Sequence, residues 1–220
     1  MGIWLITGAN RGIGLAMCRQ LAERGDSVIA ACRESSEGLD GLDVRVERGV
    51  DVSDAEAVAE LAGRLDGVAI DVLVNNAGVL AHQRLGELDF DAMRWQFEVN
   101  ALGPLRVTEA LLGHLGPGAR VGIVTSRMGS IADNSSGGSY GYRMSKAAVN
   151  AAGKSLALDL ASREIAIAIL HPGWVRTDMT GHHGLVDAPE SAAGLIARLD
   201  ALELSSSGTF WHMNGEHLPW

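Results

Sequence analysis

"TGANRGIG", residues 7–14, stands directly behind the apolar run "IWLI" and opens a long amphipathic stretch at 12–24. A strand, a glycine turn and a helix in that order form the cradle that dinucleotide phosphates require. Gly8 permits the tight turn, Gly12 lets the backbone approach a pyrophosphate, and Gly14 lets helix and sheet pack closely. The helix N-terminus attracts the phosphate charge. Asn10 and Ile13 lie in the same turn and are assigned to the same ligand. The glycine spacing departs from the usual GxGxxG, so the placement of the turn carries the reading.

The pattern begun there repeats. Apolar runs of strand length alternate with longer amphipathic stretches: "SVIAAC", "DVRVE" then 54–65, "DVLVNN" then 89–115, and "RVGIVTS" then a helix over 142–162. "IAIAIL", a helix over 189–203 and a short "TFWHM" complete it. The strands are apolar throughout rather than alternating, as expected where helices cover both faces of a parallel sheet. The sequence predicts an α/β fold, a single doubly wound Rossmann domain over 1–220 with a parallel sheet of about seven strands.

In the common NAD-binding version, an acid at the end of the second strand accepts hydrogen bonds from the adenosine ribose. Here that strand runs into Arg33, and Arg11 lies inside the glycine turn. Two guanidinium groups suit forked, charge-assisted contacts with a ribose 2′-phosphate. The preferred cofactor is therefore NADP(H), with NAD(H) possible. Asp51 and Val52, after the third strand, could hold the adenine ring by a hydrogen bond and an apolar contact; Asp51 could equally be a turn or capping residue.

The 220 residues carry 27 acidic against 18 basic side chains, a net charge of -9. That balance offers no basic footprint for nucleic acid or anionic lipid. Cys18 and Cys32, the two cysteines, do not suggest a disulfide framework and fit a reducing cytoplasm. The N-terminus lacks the features of an export signal, and no apolar run approaches a membrane span. His182 and His183 have no companion cluster at ligand spacing, so no metal is expected.

"YGYRMSK", residues 140–146, holds two tyrosines ahead of one lysine. Side chains four positions apart share a helix face, which pairs Tyr142 with Lys146 and rotates Tyr140 away. A phenol titrates near ~10 by itself, and a neighbouring ammonium favours its anion. The pair reads as a proton donor and acceptor beside the charge that tunes it.

Taken together, "TGANRGIG", "NNAG" at 75–78, Asn100 in "FEVNALGP", Ser126 in "VGIVTS", "YRMSK" and "HPGWVRTDM" at 171–179 resemble the short-chain dehydrogenase/reductases over nearly the whole chain. "SRMGSIADNSSGGSYGYRMSKAAVN" and the ending "NGEHLPW" are similar, more narrowly, to the C-factor-like and sniffer-like carbonyl reductases.

The resemblance implies an NADPH-dependent reductase of aldehydes or ketones, reversible with the alcohol. It makes Tyr142 the general acid/base and Lys146 the group that lowers its pKa and binds the nicotinamide ribose. Ser126 would polarise the substrate oxygen, and Asn100 would hold a water linking Lys146 to solvent. Asn76, Ala77 and Gly78 would pass beneath the cofactor; Pro172, Gly173, Val175 and Thr177 would enclose its nicotinamide. Leu80, Trp174, Met179 and Leu185 are candidate pocket walls, and helices around 98–115 and 142–162 would pair subunits into a homodimer or homotetramer.

One departure concerns Ser126, which lies 16 residues before Tyr142 where the family leaves about 12 to 14. Ser130 is the rival, but it stands beyond the strand, after Gly129. The C-factor likeness also opens a second function class, a nucleotide-binding signalling protein with little or no turnover. Such a protein has no need of Asn100, Ser126, Tyr142 and Lys146 together.

Overall fold

A computed structural model describes residues 1–220. The strands are β1 (Ile3–Thr7), β2 (Ser27–Ala31), β3 (Arg45–Glu47), β4 (Val72–Asn75), β5 (Arg120–Val124), β6 (Ala166–His171), β7 (Val175–Arg176), β8 (Val186–Asp187) and β9 (Thr209–His212). Helices α1 (Gly12–Arg24), α2 (Glu37–Asp40), α3 (Ala55–Arg64), α4 (Phe90–Phe97), α5 (Gly103–Ala110), α6 (Tyr140–Asp159) and α7 (Ala188–Asp200) connect them.

Seven strands form one parallel sheet in the order β3-β2-β1-β4-β5-β6-β9, while β7 and β8 pair separately. The sheet is doubly wound with helices on both faces, as the sequence predicts. Side-chain alternation explains its two cores. Leu5, Leu73, Ile123 and Ile167 face one way, against Leu61 of α3, Val107 of α5 and Val149 of α6. Trp4, Ile6, Val74 and Ala168 face the other, against Met17 and Leu21 of α1 and Leu195 and Leu199 of α7.

The amphipathic stretch at 89–115 is not one helix. Asp89 caps α4 by accepting from Asp91 N and Ala92 N, and the chain then widens into a π turn over Glu98–Leu102 before α5 begins. Pro104 explains the break: it has no N–H to give the carbonyl of Asn100, four residues earlier. The two later helices start and stop slightly earlier than the sequence reading placed them, at 140–159 and 188–200. Cys18 and Cys32 are free and buried, and no helix is long and apolar enough to cross a membrane.

The packing of α6 on the sheet gives a stability prediction. Ile123 is fully buried between β5 and α6, so Ile123→Ala should lower stability by about 2–5 kcal/mol, as buried truncations do. Chemical denaturation of the two proteins checks it through the shift in midpoint at constant slope.

Candidate active site

The glycine turn, the carboxyl ends of β1, β4 and β5, the first turns of α6 and the segment after β6 enclose a cleft of about 750 Å³. It lies where the strand order reverses between β1 and β4, the place where open α/β sheets bind ligands. Gly8 and Gly12 both have positive φ, 65° and 54°. Gly14 is forced by close approach, since a Cβ there would stand 2.4 Å from the Gly8 carbonyl oxygen. Arg11, at the N-cap of α1, makes no side-chain capping bond, and the first turn holds no acid. The amides at this helix end are thus free to meet an anion.

Of the residues assigned to the cofactor, Gly8, Asn10, Arg11, Gly12, Ile13, Arg33, Asp51, Val52, Asn76, Ala77, Gly78, Tyr142, Lys146, Pro172 and Thr177 line this cleft. Gly14, Gly173 and Val175 do not. Gly14 lies behind the turn against Asn76, Gly173 turns the chain at φ 87°, and Val175 is buried in the β7–β8 pair. Arg11 Nη1 lies 3.9 Å from Asp178, and Arg33 Nη1 lies 4.0 Å from Asp51. Both pairs are well exposed and therefore weak. Asp51 accepts from the backbone N–H and the hydroxyl of Ser53, so it serves as a turn residue, while Asp54 caps α3.

Of the four residues assigned to chemistry, Tyr142 and Lys146 line the inner part of the cleft, whereas Ser126 and Asn100 are buried outside its lining. Tyr142 and Lys146 lie one turn apart on α6 and are 8% and 4% exposed. Lys146 Nζ donates to the Val124 carbonyl at 2.9 Å, at the end of β5, and stands 5.8 Å from the centre of the Tyr142 ring. Ser126, two residues beyond Val124, caps a short 3-10 turn over Arg127–Gly129, its hydroxyl accepting from Met128 N at 3.1 Å. Ser130 is otherwise engaged: its hydroxyl donates to the Trp220 carbonyl and accepts from Asp133 N. The extra loop length before Tyr142 is absorbed in the exposed segment 131–137.

Asn100 sits in the π turn with its side chain fully occupied. Its Oδ1 accepts from Val79 N at 2.8 Å, and its Nδ2 donates to the Val79 carbonyl and the Ser145 hydroxyl. Both ends of the side chain are thus engaged by the protein, whereas the backbone carbonyl meets no N–H at Pro104. A Cβ at Gly78 would stand 3.3 Å from Asn100 Oδ1 and 3.7 Å from Lys146 Nζ, so the floor beneath a ligand is kept bare.

The expected electrostatics need correction. Burial pushes the Tyr142 phenol up to about 12, with the Ser126 hydroxyl pulling the other way. Burial also pushes the Lys146 ammonium down to about 8. Without a ligand, loss of water dominates both groups. His171, which precedes Pro172, is pushed down to about 3 chiefly by burial and is neutral behind this pair.

Other cleft residues carried no sequence signal that marked them, among them Cys32, Val79, Trp95, Thr125, Arg176 and His182. Of the four expected pocket walls only Met179 reaches the cleft; Trp174 and Leu185 are exposed outside it, and Leu80 is half-buried. His182 Nε2 lies 3.3 Å from Asp178 Oδ1, and no cluster of three or more His, Cys, Asp or Glu is arranged to hold a metal.

Comparison with known proteins agrees with this geometry. Residues 3–185 match the short chain dehydrogenase family. A 1-hydroxy-2-glutathionyl-2-methyl-3-butene dehydrogenase of Rhodococcus sp. (strain AD45) is 45% identical over all of both chains. The C-signal protein of Myxococcus xanthus is 49% identical over 69% of this chain and 93% of its own. The NADPH-bound carbonyl reductase from chicken fatty liver superposes with a TM-score of 0.91 at 28% identity, over 100% of this chain and 99% of the reductase. The narrower likeness to C-factor-type and sniffer-type proteins holds as well. The chain is an enzyme and belongs to the short-chain dehydrogenase/reductase family of oxidoreductases.

Proposed function

We propose that the protein is an NADPH-dependent reductase of aldehyde or ketone carbonyls, reversible with the alcohol, in which Tyr142 is the general acid and base. One observation carries the reading: Tyr142 and Lys146, both buried, line the same cleft as the glycine turn. The uncapped start of α1, with Gly8 and Gly12 turned out of its way, suits a pyrophosphate. Arg11 and Arg33 at the rim suit a 2′-phosphate, and the NADPH bound to the chicken reductase supports that choice; NAD(H) is the secondary cofactor.

The bound dinucleotide supplies the hydride. The protein supplies the proton and its placement. With its phenol held above the ordinary range, Tyr142 is fully protonated at neutral pH, the state needed to donate to a carbonyl oxygen that is gaining charge. Ser126 donates a second hydrogen bond to that oxygen and stabilises the developing alkoxide. After donation the tyrosinate is left beside Lys146, whose value near 8 lets it take or release a proton at neutral pH. The Asn100 carbonyl, freed by Pro104, holds the water that continues the path outward.

The whole chain serves as one unit in this reading, since cofactor and catalytic residues share one sheet. Met144 and Leu158, left exposed on α6, support pairing of that helix between copies in a homodimer or homotetramer. Free cysteines support a cytoplasmic setting. Signalling without turnover is the second reading, favoured by the likeness to C-signal.

Tyr142→Phe should lower kcat by about 10²–10⁴-fold, the range for loss of a positioned general acid, with NADPH affinity retained. The assay is NADPH consumption over aldehydes, quinones and diketones, with a glutathionyl alcohol for the reverse direction. A native protein that binds NADPH and turns over none of these moves the balance to signalling. Because Tyr140 and Tyr142 are the two tyrosines, subtracting the tyrosinate titration of Tyr142→Phe from that of the native, cofactor-free protein isolates one phenol. Its midpoint should lie above the ordinary ~10. For the cofactor, Arg33→Ala should raise the KM for NADPH about 10- to 100-fold, the worth of a charged hydrogen bond, and leave that for NADH nearly unchanged.

A further inference from the structure

Two buried glutamines stand outside the chemistry just described. Gln83, on the loop after β4, is 5% exposed, and Gln96, on α4, is fully buried. A buried amide side chain is uncommon and is costly unless hydrogen-bonded. Both meet at the first turn of α6. Gln83 Oε1 accepts from Gly141 N at 3.1 Å, and the Gln83 backbone carbonyl accepts from Ser139 N at 3.0 Å. Gln96 Oε1 accepts from Ala81 N at 2.9 Å, which pins the loop two residues ahead of Gln83.

The helix needs that outside acceptor. Its own N-cap, Ser139, is in the left-handed region at φ 47° and makes no side-chain cap bond. The Ser139 hydroxyl faces His82 Nδ1 instead, at 3.3 Å. The opening amides of a helix have no partner within it, and here the one at Gly141 is met from 58 residues upstream. There is no room to shift: a Cβ at position 141 would stand 2.6 Å from Gln96 Nε2. The next residue is Tyr142.

We propose that Gln83 is a positioning residue for the proton transfer: by capping α6 from the loop after β4, it sets where the Tyr142 hydroxyl stands relative to Ser126. Gln83 Nε2 has no partner, so the side chain acts through Oε1 alone. The inference rests on the reading of Tyr142 as proton donor. A reacting group displaced by about 1 Å loses on the order of 10²-fold in rate.

Gln83→Met keeps the length and removes the acceptor; Gln83→Glu keeps an acceptor where a helix N-terminus favours negative charge. The expected result is a split, with kcat reduced about 10- to 100-fold in Gln83→Met, NADPH affinity within about twofold of native, and kcat restored to within about threefold in Gln83→Glu. Independently of turnover, the Tyr142 titration midpoint should fall towards the ordinary value in Gln83→Met and return in Gln83→Glu. Should Gln83→Met fail to fold, Gln83→Asn, one methylene short of Gly141, should show the same split. Native kcat and an unmoved midpoint in Gln83→Met or Gln83→Asn overturn the proposal, as does equal loss in Gln83→Met and Gln83→Glu. Tyr142→Phe in the same assay separates the two failures. If it retains native turnover, the proton-donor reading is wrong; if it collapses while Gln83→Met does not, the inference alone is wrong.

Discussion

The hydrogen bond from Lys146 Nζ to the Val124 carbonyl, 2.9 Å long and buried, is the contact on which the rest of the site depends. It joins the helix that carries Tyr142 to the last residue of the strand that leads into Ser126, and so fixes two catalytic candidates in one register. Burying an ammonium beside a carbonyl with no carboxylate at hand is unfavourable, and the depressed pKa of Lys146 measures that cost. Such strain is characteristic of places kept for chemistry rather than for stability. The surrounding structure must be stiff enough to impose it. Ile123 and Ile169 below the helix, Gly129 pressed on its backbone and the π turn beside it all serve that end.

Much of this was legible in the sequence. The glycine turn and the run of apolar segments are local signals, and the sheet follows from them because strands covered on both faces can be little else. Tyr142 and Lys146 could be paired from helical spacing alone. Ser126 was harder, since spacing favours Ser130; the structure distinguishes them by what each hydroxyl already binds. The break at 98–102 had a written cause in Pro104, but the amphipathic pattern runs through it and hides it.

What could not be read depends on surroundings assembled from distant parts of the chain. The direction of the Tyr142 shift is one case, because spacing gives the neighbour but not how much water is lost. Gln83 is another. A glutamine in a loop carries no local mark of burial, and its role exists only once Gly141 arrives against it. The same holds for Val175 and Gly173, which fell beside the cleft although Pro172 and Thr177 of the same motif line it.

The reversal of strand order at β1 and β4 has a consequence for how such an enzyme can change. Arg33 and Asp51 follow strands on one side of that seam, whereas Ser126, Tyr142 and Lys146 belong to strands and helices on the other. The turn at 7–14 and the segment at 75–78 lie along the seam itself. The stretches that would choose the dinucleotide and those that would act on the substrate are thus largely separate along the chain, and selection can revise one with little change to the other.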